Sequence, residues 1–313
     1  MNTTVADTCH CIVRHPDKAK FLVVKHEEED WSPPVLMFPP GTVDENAGLV
    51  NQGMQDKYGL KTRMLRSIMH LPNYHCIELE LAHVQSSKKL EAVWVDKAEY
   101  MSTRTPPGDI ADPFELWFDE QESGQPVANR PPFQQPGWFN KADHWIHFQL
   151  DSLGFQVTGS VQQVQQSMNL ECMLRAPTNQ GWAYFKTSQE APPGEAALTD
   201  ALARRWPGAV RQPLAIDAGR NWMLNRELPE HATDIDASML PEFARSLAKL
   251  QVETAVDPDQ WKAMGCRQAS LEDLAIFCNQ PEPHKALLQE GGGGLSEEEW
   301  DLLPEALQPV AAA

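Results

Sequence analysis

The chain has 313 residues, room for two domains at roughly 150 residues each, and 42% of them are hydrophobic, enough for packed cores. Lys and Arg number 26 against 44 Asp and Glu, a net charge of -18, which argues against unaided binding to nucleic acid or to an anionic membrane surface. No run approaches the roughly 20 apolar residues of a membrane span, and Met1 to Asp7 lack the pattern of a secretory signal, so a cytoplasmic protein is expected.

The elements are predicted in chain order. His10 to His15 and Lys20 to Lys25 form two strands around a turn at Pro16-Asp17. Cys9 and Cys11 then share one strand face and are expected in the core as small apolar residues, not on a metal. The acidic run Glu27 to Asp30 reads as a solvated loop. Ile77, Leu79 and Leu81 alternate with Glu78 and Glu80, the pattern of a half-buried strand, and Leu90 to Val95 give another. Asp112, Pro113 and Glu115 mark a helix start. Residues 124–137 hold Pro126, Pro131, Pro132 and Pro136 and read as a semi-rigid linker between domains.

Beyond the linker, Ile146, Leu150 and Leu153 lie at helical spacing, with Gly154 as the stop. Leu170, Cys172 and Leu174 alternate in a strand, and Ala183 to Thr187 follow in the next. Glu195 to Trp206 is a helix, and Pro213 to Asp217 with Trp222 to Asn225 a hairpin around Ala218-Gly219. Phe243, Leu247 and Leu250 share a helix face, and Leu271 to Cys278 form a further helix. Gly291 to Gly294 precede a capping box at Ser296 and Glu299. The ten tryptophans read as dispersed over apolar faces.

Phe38-Pro39-Pro40-Gly41-Thr42-Val43-Asp44-Glu45 through Lys57-Tyr58-Gly59-Leu60 resembles the Nudix box, G-x5-E-x7-R-E-U-x-E-E-x-G-U with U a bulky aliphatic residue, over roughly residues 5 to 122. The departures bear on chemistry. The first glutamate position counted from Gly41 is Ala47, and the spacing from Gly41 to Gly59 is three residues short. The acidic core shrinks to Gln55-Asp56-Lys57-Tyr58, leaving Asp56 as its one acid, and the shortening is expected to leave Gly48 to Tyr58 partly irregular. Holding a divalent metal against a diphosphate takes several carboxylates, so the resemblance implies the fold without the hydrolase activity. Asp44 and Glu45 read as a solvated loop, with metal ligation the alternative.

In the second half, Lys186 lies in a predicted strand behind Tyr184 and Phe185, and Glu195 opens the next helix nine residues on. A strand lysine, a helix glutamate and then a hairpin follow the order of a protein-kinase-like small lobe. Pro136-Gly137-Trp138-Phe139, Gly159-x5-Gln165, Leu174 to Thr178, Gly181-x2-Tyr184-Phe185-Lys186, Glu195-x2-Leu198-Thr199-x2-Leu202-Ala203, Trp222-Met223-Leu224 and Leu247 to Gln251 together resemble the aminoglycoside phosphotransferase-like family, over roughly residues 136 to 310.

That resemblance implies a phosphate-contacting Lys186 paired with Glu195, and a strand-to-hinge segment Met223, Leu224 to Glu227 beside an adenine. It implies ATP and magnesium for a full-length relative that moves a phosphoryl group to a small-molecule hydroxyl. Its catalytic motif, H-G-D-x4-N, is absent: His144, His147, His231 and His284 begin no such sequence. The chain is therefore expected to be a fragment or a natural pseudoenzyme.

The expected architecture is α+β. A Nudix-like mixed sheet with helices (1–123) is joined by the linker (124–137) to a kinase-like small lobe, an antiparallel sheet plus helix (138–228). A helical segment (229–313) begins a large lobe. The expected partner is a small molecule or nucleotide, with neither nucleic acid nor membrane. Two other readings stand beside this one: a non-catalytic ligand-binding or regulatory module, and a Nudix hydrolase with atypical acids.

Overall fold

The spacing of buried apolar residues explains why the first sheet and its helices assemble. A computed structural model describes residues 6–25, 31–43, 46–83, 90–102, 112–124, 130–167, 171–189, 194–207, 209–228, 239–264, 266, 270, 276, 300 and 302–303. Four strands, β1 (Asp7–Val13), β4 (Val35–Phe38), β5 (Lys61–Leu71) and β6 (Tyr74–His83), form a mixed sheet in the order β4-β1-β6-β5. The β1–β6 pair is parallel and the others are antiparallel. A second, antiparallel sheet joins β3 (Trp31–Ser32), β2 (Phe21–Lys25) and β7 (Ala92–Val95) in that order.

Helix α1 (Ala47–Tyr58) covers one side of these sheets. Its buried residues Ala47, Val50, Met54 and Tyr58 recur every three or four positions and join a core with Cys9, Cys11 and Leu79. Asn46 caps its start by accepting the Leu49 N–H, and Gly59 ends it in the left-handed conformation at φ 71°. The box region is thus a continuous 12-residue helix, not the irregular segment expected from its shortened spacing. Two caps and an unbroken buried stripe suffice to form it.

Helix α2 (Lys97–Ser102) and α3 (Pro113–Ser123) lie against Ile12, Phe21 and Cys76, with Phe114, Trp117 and Phe118 packed round Phe21. Asp112 caps α3 and Pro113 occupies its first turn, as the sequence predicts.

The alternation read at Glu78 and Glu80 does not put those carboxylates in water. Glu78 is fully buried, 2.7 Å from Arg66 Nε and 3.1 Å from Arg130 Nη2, with Arg14 Nε at 3.8 Å. Glu120 of α3 joins the same cluster through Arg66 and, at 3.2 Å, Arg130. Two residues along the strand on the same face, Glu80 accepts the Gly137 N–H at 2.8 Å. Residues 130–137 are therefore held at both ends by β6. Between those ends lies a 3-10 turn, Pro132–Gln134, with Phe133 buried.

Helix α4 (Trp138–Ser152) follows directly and lies on a five-stranded antiparallel sheet. The sheet comprises β8 (Gln162–Ser167), β9 (Glu171–Thr178), β10 (Gly181–Ser188), β11 (Ala215–Asp217) and β12 (Trp222–Arg226), in the order β11-β12-β10-β9-β8. Helix α5 (Glu195–Arg205) is inserted between β10 and β11. The α4 stripe Trp138, Ala142, Ile146 and Leu150 packs on Leu174, Phe185 and Leu224.

The two halves meet at a sheet edge. Gln163 of β8 treats Met64 of β5 as a strand partner: its Oε1 accepts the Met64 N–H and its Nε2 donates to the Met64 carbonyl, both at 2.9 Å. Gln166 donates to the Leu65 carbonyl, and both glutamines are buried. Gly48 of α1 permits this approach, since a Cβ there would lie 3.3 Å from the Gln163 and Val164 carbonyl oxygens. Arg63 lies over the Phe139 ring at 3.6 Å and donates to Asn140.

The chain divides into two compact units, Met1–Val256 and Asp257–Ala313. Everything above lies in the first, as does α6 (Leu240–Thr254), whose Phe243 and Leu247 are exposed rather than packed. In the second unit, α7 (Pro258–Ala263) is capped by Asp257 and buries Trp261. The sequence-predicted helix at Leu271 to Cys278, the glycine run and the capping box at Ser296, like the acidic run Glu27 to Asp30, fall outside the described residues, Ile276 excepted.

Burial alone would raise the Glu78 pKa, but the Arg130 and Arg66 guanidiniums outweigh it and hold the carboxyl below its usual value. A depressed carboxyl stabilises the fold fully above the unfolded-state pKa of about 4.3 and loses that contribution as pH falls through the lower folded value. Glu78→Gln should therefore cost about 3–5 kcal/mol in urea unfolding at neutral pH. Its deficit against the parent should shrink in acid. Gln163→Ala should cost about 2 kcal/mol by stranding the Met64 donor and acceptor, and native-state hydrogen exchange should show the Met64 amide losing protection.

Candidate functional site

The loop that opens the box-like segment turns at Gly41, where φ is +71° and the N–H donates to Asp7 Oδ2 at 2.7 Å. Asp44 and Glu45 lie outside the described residues. Ala47, the first glutamate position counted from Gly41, is buried in the core at 0% exposure. The left-handed cap at Gly59 gives a second origin for the count. Back from it, the carboxylate positions of the pattern fall on Asp44, which lies outside the described residues, and within them on Gly53, Asp56 and Lys57.

These three do not make a cation cradle. A Cβ on Gly53 would lie 3.0 Å from the Leu36 side chain, so β4 fills the space a carboxylate would need. Lys57 turns its ammonium onto the Val35 carbonyl at 2.8 Å, beside the Tyr58 hydroxyl that donates to the same oxygen. Asp56 is exposed and accepts from Gln52 Nε2 at 2.7 Å, one turn back on the same helix. Among the described residues no three His, Cys, Asp or Glu side chains converge as metal ligands. A divalent ion against a diphosphate needs several oxygen donors, and this donor set does not fit one.

The second sheet carries the other candidate residues. Along β9 and β10, buried and half-exposed positions alternate, because α4 covers one face. The opposite face presents a row in direct register: Ile216, Met223, Lys186 and Met173, on four successive strands. Lys186 Nζ lies 2.9 Å from Glu195 Oε1 and 3.1 Å from Glu171 Oε2. The pair spans strand and helix, and both side chains are partly buried, at 29% and 27% exposure.

Glu195 is itself fixed in place. Its second oxygen accepts the Ser188 hydroxyl at 2.8 Å. Asn221, in the left-handed region at φ 54°, donates to the Ser188 carbonyl and hydroxyl oxygens and accepts the Ala196 N–H at 3.0 Å. The hairpin turn thus supplies the N-terminal satisfaction that Gly194, which has no side chain, leaves undone for α5. Partial burial would lower the Lys186 pKa, but its bonds to Glu195 and Glu171 outweigh this and hold it above the usual value.

Of the hinge residues implied by resemblance, Met223 sits beside Lys186 in the row. Leu224 points to the other face and is fully buried under α4. Glu227 lies at the far end of β10, where its carboxylate accepts the Trp182 N–H at 3.0 Å. Glu171, Ser188 and Asn221 were not singled out from the sequence. Glu171 could have been: a hairpin turning at Asn179-Gln180 pairs Lys186 with Met173 and places Glu171 on the same face two residues on.

No protein-family model matches the chain, and no curated protein does. Among solved structures, a Nudix hydrolase from Nitrosomonas europaea is similar over 40% of this chain and 77% of its own, at 17% identity and a TM-score of 0.30. A structure of MutT, from work on Aliivibrio salmonicida and Vibrio cholerae, aligns over 37% and 98% at 11% identity and a TM-score of 0.28. An ADP-ribose pyrophosphatase from Streptococcus suis aligns over 39% and 96% at 17% identity and a TM-score of 0.28. Superpositions of this size carry no argument about activity.

The geometry at Gly53 and Lys57 yields a direct expectation. The protein should not hydrolyse nucleoside diphosphate derivatives in the presence of magnesium, measured by phosphate release after phosphatase coupling. Metal-dependent turnover that disappears in a folded Asp56→Ala variant would overturn this.

Proposed function

We propose that the second sheet is a nucleotide-contacting lobe in which Lys186 meets phosphate oxygens, joined to a Nudix-like domain that does not hydrolyse diphosphates. The observation that carries this reading is the Lys186–Glu195 bridge at 2.9 Å, on the sheet face opposite α4. The order of parts supports it. A strand lysine, a helix inserted after that strand and a glutamate in its first turn are the arrangement by which kinase-like lobes hold a lysine on nucleotide phosphates.

The chemistry is that of a positioned cation. An ammonium has three donors, and Glu195 and Glu171 take two of them. A phosphate oxygen accepts the third or displaces Glu171, while Glu195 keeps the ammonium aimed at the sheet face. Met173 and Ile216, both half-buried, lie in the same row as Lys186 and offer apolar surface on which a planar base can lie, while Met223 between them is buried. ATP fits the donor and the flanking surface. The chain contains no His-Gly-Asp sequence to supply a base, so binding is assigned to this lobe and phosphoryl transfer is not.

Titration of the full chain with a fluorescent ATP analogue tests the proposal. Lys186→Ala should weaken binding by about tenfold or more, since a charge-assisted contact to phosphate is lost. Glu171→Gln should tighten it by several-fold, because a competing carboxylate leaves the ammonium. Equal affinity of the parent and Lys186→Ala would remove the reading, as would tighter binding by Lys186→Ala.

A further inference from the structure

The ten tryptophans, dispersed in sequence, are not all dispersed in space. Trp138, Trp145 and Trp222 converge on one groove, with Trp145 and Trp222 ring centroids 5.6 Å apart and Trp138 and Trp222 6.0 Å apart. The groove encloses about 760 Å³, within the range of small-molecule sites. Most of its lining comes from α4 and the turn before β12, and Ser188 reaches it from the sheet face that carries Lys186. Its lip is Phe148, which is 63% exposed although a large apolar side chain gains by burial.

The charged residues that line the groove, Lys141 and Arg220, are both cationic. Lys141 and His144 lie one turn apart on α4, and Phe148 follows one turn further on the same helix face. Neither Lys141 nor His144 has a hydrogen-bond or ion-pair partner among the described residues. Arg220 lines the opposite wall with its guanidinium 4.8 Å from the Trp222 ring centroid, tethered by Asp217 at 3.4 Å. Among the described residues no carboxylate lines the groove, in a chain whose net charge is -18.

An apolar aromatic slot with an unpaired lysine on its lip is complementary to a flat ring system carrying an anionic group. We infer that this groove binds a small aromatic anion, its rings against Trp145, Trp222 and Phe148 and its carboxylate, sulfonate or phosphate at Lys141. Ring stacking supplies affinity and the rim charge supplies selectivity for the anion. Ser188, whose hydroxyl donates to Glu195, also lines the groove, but Lys141, Trp145 and Phe148 all belong to α4, so variants there test the groove separately from the nucleotide reading.

Titration of the full chain with anilinonaphthalene sulfonate, read by probe fluorescence and tryptophan quenching, tests the inference. Phenylnaphthylamine, which has the same rings and no sulfonate, is the neutral probe. Lys141 and Phe148 are exposed, so Lys141→Glu and Phe148→Ala should melt like the parent. The parent should bind the sulfonate saturably at one site, and each variant should weaken it by about tenfold. The neutral probe should lose affinity in Phe148→Ala and not in Lys141→Glu. Unchanged sulfonate affinity in both variants, or equal affinity of the parent for the two probes, would overturn the assignment.

Discussion

Two glutamates of one strand determine how the halves of the first unit are joined. Glu78 and Glu80 share a face of β6, and each takes one end of the segment that leads out of the first domain: Arg130 on Glu78, the Gly137 N–H on Glu80. A fully buried carboxylate is costly unless paired, and Glu78 is paired with guanidiniums from β5 and from the segment after α3, with a third from just beyond β1 nearby. That cost is what makes the attachment specific. The arginine that completes the cluster lies eight residues before the next helix begins.

From that point the second half follows by short steps. Gly137, at φ 74°, turns the chain into α4, and the α4 stripe fixes the five-stranded sheet beneath it. With one sheet face covered, the alternation of β9 and β10 leaves the other for Lys186, Met173 and Met223. The exposed side of α4 is free to form the wall of the aromatic groove. The glutamines of β8 then close against β5 with side-chain amides in place of a strand, so an edge that would otherwise offer unpaired backbone groups is satisfied.

Local chemistry made much of this legible in the sequence. The Asp112 cap, the start of α5 at Glu195 and the hairpin strands near Pro213 to Asn225 are signalled within four or five residues, and the structure has them within a residue or two. The Lys186–Glu195 contact was also legible, because one strand and one short connection separate the pair. What escaped involves long range. Glu78 alternates correctly for a solvent-facing residue, and the arginine that buries it is 52 residues away. Strand β5 was missed because Arg63, Arg66 and Ser67 break its apolar run, and two of those polar positions serve the network and the junction. The box helix formed where irregularity was expected, since caps and a buried stripe depend on neighbours in place, not on the length of a motif.

The same distinction explains why the box-like segment forms a helix although no metal-ligand cluster gathers among the described residues. Helix formation asks for apolar residues every three or four positions and a residue tolerant of positive φ at the end, and Val50, Met54, Tyr58 and Gly59 meet that demand. Holding a divalent cation asks for oxygen donors on a different face of the helix, and there the chain has Gly53 against Leu36 and Lys57 on a backbone carbonyl. The two demands fall on separate residues, so one can be lost without disturbing the other. Lys57 shows what replaces the second: its ammonium bonds the Val35 carbonyl and ties the helix to β4.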